Sequence, residues 1–81
     1  MNKNISYNLT INNCNKIFKN FEKAKSILER ALKIAIENQK KYDGVQVLNY
    51  MSIDEVNVLD DGTFTPIKYD LIYVDGSKLI S

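Results

Sequence analysis

Phe21–Lys40, FEKAKSILERALKIAIENQK, repeats apolar residues at three- and four-residue spacing. On a helix, Phe21, Ala24, Leu28, Ala31, Leu32 and Ala35 merge into one continuous stripe. Glu29/Lys33 and Glu37/Lys41 stand at i,i+4 in the favoured order on the solvated side. Asn20 is suited to cap the first turn, and Glu22 sets a negative charge near the positive end of the helix dipole. Lysines crowd the last turn. Asp43-Gly44 then ends the run, because Gly44 takes a left-handed conformation without a Cβ clash. A long helix is expected here.

Both flanks of this helix read as strand. Ile5-Ser6-Tyr7-Asn8-Leu9-Thr10-Ile11 alternates apolar and polar strictly, as a strand with one buried face does. Asn12-Asn13-Cys14-Asn15 breaks it with turn-forming side chains. Ile17 and Phe18 either extend a second short strand or pack as the helix lead-in. After the helix, Val45, Val47, Met51 and Ile53 share one face at period two, with Asn49 the polar exception. Val56 and Val58 fall on the opposite phase. Asp60-Asp61-Gly62 is a hairpin turn signal, followed by Phe64, Ile67, Tyr69, Leu71 and Tyr73. Asp75-Gly76 marks a second turn before a short edge strand, Lys78-Leu79-Ile80. Pro66 cannot donate to a ladder and belongs at an edge or a bulge. The expected fold is a single α+β domain over residues 1–81. It has a small antiparallel-rich sheet, β-α-β-β with extra short strands, and one helix across one face.

Two irregularities mark candidate surfaces. On a wheel centred on Leu28, at about 100° per residue, the core stripe spans about ±60°. Ile27 and Ile34 lie near −100° to −120° and Ile36 near +80°. Either the sheet curls around the helix, or Ile27 and Ile34 form a seam for self-association or a partner. The second irregularity is a phase flip. Met51 and Ile53 are odd while Val56 and Val58 are even; Phe64 is even while Ile67, Tyr69 and Leu71 are odd. Paired bulges at Asp54-Glu55 and Pro66 would restore one buried face. Without them, Val56, Val58 and Phe64 face away from the helix as a contact cluster. Ser52-Ile53-Asp54-Glu55 also fits a capping box, so a helical turn there is a third reading.

Charge is sorted along the chain. Residues 1–41 carry nine Lys/Arg against three acids, and residues 42–81 two lysines against seven acids, so the net +1 hides +6 and −5. Such asymmetry bears on partners more than on fold. The apolar fraction of 44% and charged fraction of 26% are those of a folded domain rather than a disordered chain. With 81 residues, only roughly 60–65% of the unfolded surface is buried, so oligomerisation would add needed stability. One cysteine, Cys14, cannot make an internal disulfide and suits a reducing compartment. No stretch approaches the ~18 apolar residues of a membrane span, so a cytoplasmic location and no membrane partner are expected. The sequons at Asn4 and Asn8 fit chance among ten asparagines. Asn, Ile and Lys make up 30 of the 81 residues, and their AT-rich codons point to a low-GC bacterium, or to a phage or plasmid it carries.

Candidate chemistry is sparse. The chain lacks histidine, the commonest general base and metal ligand. A single thiol cannot build a zinc site, and Cys14 has no histidine to activate it. Asp54, Glu55, Asp60 and Asp61 could gather around a hard cation, but Asp60-Asp61-Gly62 reads first as a solvated turn. No glycine pattern suits phosphate. Neither an enzyme nor a bound cofactor or metal is expected. Lys16, Lys19, Lys23, Arg30, Lys33, Lys40 and Lys41 could track a nucleic-acid backbone. Against this, Glu22, Glu29 and Glu37 intersperse the helix, and the sequence pI is only about 7.8.

The order of strand, long helix and long antiparallel hairpin resembles that of dodecins, small oligomeric flavin binders. That resemblance implies a homo-oligomeric small-ligand binder, although this chain has no tryptophan to stack on a flavin. The leading expectation is a non-enzymatic interaction module that inhibits a macromolecular partner, of the phage or mobile-element anti-defence kind that includes CRISPR inhibitors. Its acidic half would meet a basic protein surface through Asp54, Glu55, Asp60 and Asp61. Val56, Val58, Phe64, Ile27 and Ile34 would be the apolar contacts.

Overall fold

The computed structural model describes residues 4–41, 50–75 and 78–81. In chain order it contains β1 (Ile5–Ile11), β2 (Cys14–Phe18), α1 (Phe21–Lys41), β3 (Met51–Val58), β4 (Phe64–Asp75) and β5 (Lys78–Ile80). The strands form one antiparallel sheet in the order β2-β1-β3-β4-β5, with α1 packed on one face, so the fold is α+β. The expectations on Asp43-Gly44, on Val45, Val47 and Asn49, and on Gly76 lie outside the described residues. Of the two readings for Ile17 and Phe18, the strand is the one that forms.

Local chemistry sets the first turns. β1 pairs with β2 from Tyr7↔Phe18 to Ile11↔Cys14, leaving a two-residue loop, Asn12-Asn13. Asn12 takes φ 55°, the positive value that the favoured hairpin turns need at their first central position, and asparagine tolerates it best among residues with a Cβ. The Asn12 backbone N–H donates to Tyr50 O at 2.6 Å, and Tyr50 N–H donates to Asn12 Oδ1 at 3.0 Å, which ties this loop to the entry of β3. The cap of α1 is as expected: Lys23 N–H donates to Asn20 Oδ1 at 3.2 Å, and Ala24 N–H to Asn20 O at 3.2 Å.

The core lies between α1 and one face of the sheet. Leu9, Phe18, Ala24, Leu28, Met51, Ile53 and Ile72 are buried there, ringed by half-buried Tyr7, Ile11, Phe21, Ile27, Ala31, Leu32, Ala35, Val74 and Leu79. Tyr7 and Phe21 meet edge to face, with centroids 5.3 Å apart, and fix the N-terminal end of the helix over β1. Small Ala24 brings the helix close to the sheet, and Leu28 beside it is fully buried. The opposite face is polar at its centre. Ser6, Asn8 and Ser52 are buried there, and Asn15 Nδ2 donates to Asn8 Oδ1 at 3.2 Å.

Register corrects two expectations. β1 and β3 pair without a slip from Ile5↔Asn57 to Ile11↔Met51, and Val58 N–H extends the ladder to Asn4 O at 3.0 Å. Hence β3 carries no bulge and no helical turn at residues 52–55. Met51 and Ile53 face the helix, while Val56 and Val58 face away. Both irregularities lie on β4, the smaller of them beside Pro66 as expected. Ile53 pairs with Ile72, Glu55 with Lys68 and Val56 with Pro66, so β4 spends extra residues on each of two steps of β3. These bulges reverse the phase of β4. Its core residues are the even Ile72 and Val74, whereas Ile67, Tyr69 and Tyr73, expected on the buried face, are exposed and Leu71 is half-buried.

Candidate interaction surface on the distal hairpin

Beyond Ile53 the β3–β4 hairpin runs past the helix, and no residue from 54 to 70 belongs to the helix-side core. Residues 59–70 are all exposed. The molecule measures 52 × 20 × 17 Å with a radius of gyration of 14.1 Å, against about 12 Å for a compact domain of this length.

Two side-chain devices hold the hairpin. At its tip, Leu59 N–H donates to Thr63 O at 2.7 Å and Gly62 N–H to Leu59 O at 3.0 Å, with Gly62 at φ 89°. This left-handed glycine, after a turn and before the returning strand, is the pattern of a short loop closed by a bulge. Asp61 Oδ1 accepts from Thr63 N at 3.0 Å and Thr63 Oγ1 at 2.6 Å, and these two bonds hold its carboxyl below the ordinary value of 3.8. Lower down, Asp70 sits at φ 54° inside the larger bulge, and its N–H donates to Asp54 Oδ1 at 2.9 Å. Asp54 thus supplies the acceptor that the interrupted ladder removes.

The sequence-selected residues fall as follows. Val58 stands opposite Phe64, as expected, on the face away from the helix. Phe64 is 39% exposed and Val58 half-buried, but Val56, set between Ser6 and Pro66 on the neighbouring strands, is only 1% exposed. Asp60 and Asp61 lie at the tip. Half-buried Asp54 and Glu55 lie near the base, Glu55 opposite Lys68. The four acids are therefore strung along the hairpin. Among the described residues no three His, Cys, Asp or Glu side chains are grouped to hold a metal ion. Ile27 is half-buried and packs against the core beside Leu9, Ile11 and Phe18, lining a groove of about 310 Å³ that exposed Cys14 also borders. Ile34, one heptad on, is 52% exposed. On the other flank of α1, Leu32, Ile36 and Leu79 line a shallow groove of about 450 Å³, edged by Glu29, Lys33, Glu37 and Lys40.

Sequence reading missed part of the surface. Leu59, Ile67 and Tyr69 are 41%, 49% and 68% exposed, although Ile67 and Tyr69 share the odd phase of buried Met51 and Ile53 in the sequence. No local signal marks this, because charges at Lys68 and Asp70 between apolar residues are also what a strand with a buried odd face shows. Among the described residues no strand pairs with the outer edge of β4 from Phe64 to Leu71, since β5 pairs with Tyr73–Asp75. Pro66, Lys68 and the two bulges blunt this edge against pairing with another strand. Contacts here must therefore be made by side chains. Charge follows the same division, since residues 51–75 hold six acids and one lysine while residues 14–41 hold eight Lys/Arg and three acids.

Among the described residues no helix is long and apolar enough to cross a membrane. Comparison with protein-family models, with curated proteins and with solved structures finds no match for this chain.

Proposed function

We propose that this chain is a non-enzymatic interaction module that inhibits a macromolecular partner by occupying a basic surface on it. It is of the kind that phages and mobile elements of AT-rich bacteria direct against host defence. The observation that supports this reading is the distal hairpin. It combines exposed Leu59, Phe64, Ile67 and Tyr69 with Asp60, Asp61, Glu55 and Asp70, on a segment the core does not use. Aromatic and aliphatic anchors supply desolvated contact area, and the surrounding acids steer a basic partner and set its register. The blunted β4 edge also favours side-chain recognition over strand addition.

The test is expression of the chain in a bacterial host whose CRISPR or other defence restricts a phage. The chain should restore plaque formation. Phe64→Thr/Ile67→Thr/Tyr69→Thr, confirmed folded by circular dichroism, should not. Failure of the natural chain against a panel of such defences, or full activity of the triple variant, contradicts the reading.

A further inference from the structure

The helix carries a surface that the distal hairpin of another copy would fit. Viewed down α1, with Leu28 facing the sheet and about 100° per residue, Glu22, Glu29 and Glu37 all fall between about +100° and 180°. The other flank, near −100° to −160°, holds Ile27, Ile34, Lys23 and Arg30 and no acid. The glutamates that dilute the helix's basic composition thus leave one long side of the helix with no acid of its own. Its position is fixed by Ile27, which packs beside Leu9, Ile11 and Phe18, so this flank lies over the β1–β2 side of the sheet. Lys23 and Arg30 are exposed there, and Ile34, one turn beyond Arg30, gives the stripe an exposed apolar end.

The geometry points to a closed two-fold dimer in which the distal hairpin of each copy lies on the Lys23–Arg30–Ile34 flank of the other. The two surfaces match in kind: acids with exposed aromatic and aliphatic side chains on one, bases around an exposed isoleucine on the other. Each copy is elongated, with its acids concentrated in the hairpin that runs past the helix and its bases in β2 and α1. An antiparallel pair therefore satisfies both contacts at once, whereas a head-to-tail pair leaves one of each open. This inference shares with the proposed function only the premise that the hairpin is a contact surface. Its test needs no partner, so the two readings fail separately.

The experiment is sedimentation equilibrium of the purified full chain at 50 and 500 mM NaCl. A mass of twice 9.3 kDa is expected at low salt, with the dissociation constant rising on the order of ten-fold or more at high salt as exposed charges are screened. Lys23→Glu/Arg30→Glu alone, and Asp60→Lys/Asp61→Asn alone, should each be monomeric. Asparagine at 61 keeps an acceptor for Thr63 while removing the charge. Mixing the two variants should restore a dimer, because an acidic hairpin then meets a basic flank and a hairpin with a basic tip meets an acidic flank. Circular dichroism should be unchanged in both. A 9.3 kDa particle at every salt concentration overturns the proposal. So does a dimer indifferent to the reversals, a mass that grows past two chains, or a monomer whose Lys23–Arg30 flank instead binds a single-stranded oligonucleotide.

Discussion

At the scale of single residues, three side chains set the local backbone geometry of the helix start, the hairpin tip and the larger bulge. Asn20 accepts from Lys23 N–H at the start of α1, so Asn20→Ala should lower unfolding free energy by about 1 kcal/mol in a urea melt. Asp61 holds the hairpin tip through Thr63, and its depressed carboxyl value gives a pH signature. The charged form is the one the fold stabilises. That contribution is therefore complete above 3.8, the ordinary value, and is lost as pH falls through the lower folded value. NMR titration of the Asp61 carboxyl should give a midpoint below 3.8, and Thr63→Ala should move it back up. Asp70 holds a left-handed conformation that costs an ordinary L-residue about 1–2 kcal/mol. Asp70→Val should therefore destabilise by about that amount, while Asp70→Gly should be neutral or stabilising in the same assay.

At the scale of elements, the outcome depends on how each element's signal is written. The helix and β1 were legible because a 3.6-residue stripe and strict alternation each match one element and one buried face. β3 was legible as a strand, but the meaning of its phase change was not: odd Met51 and Ile53 and even Val56 and Val58 lie on opposite faces, without the bulge that would have merged them. β4 was not. Only its smaller bulge was, from the phase change beside Pro66. Its apolar residues at 67, 69, 71 and 73 mimic a regular strand, and the larger bulge depends on cross-strand partners such as Asp54 that no local pattern encodes. For the candidate surface, the orientation of Val56, Val58 and Phe64 stood between two readings, and their individual burial was not readable at all. Val56 at 1% exposure and Phe64 at 39% predict opposite responses. Val56→Ala should cost about 2 kcal/mol, the loss of two buried methyl groups with little room to relax. Phe64→Ala should cost under about 1 kcal/mol, despite removing the larger side chain.

At the scale of the whole molecule, the fold converts a charge gradient along the sequence into one along the shape. The basic residues gather on β2 and α1, and the acidic ones on a hairpin whose outer part, residues 59–70, is exposed throughout. Exposed hydrophobic side chains on that hairpin, beside a polar sheet face and a blunted strand edge, make it the part of the surface best suited to contact. The account's central claim is that Phe64, Ile67 and Tyr69 belong to this surface and not to the structure that holds the chain folded. Urea unfolding of Phe64→Thr/Ile67→Thr/Tyr69→Thr measures that directly, threonine being chosen to keep strand propensity. The account predicts a cooperative transition and a loss of less than about 1.5 kcal/mol, the sum expected of three surface changes. A loss beyond about 5 kcal/mol, or no cooperative transition at all, would mean that these side chains are core and would contradict it.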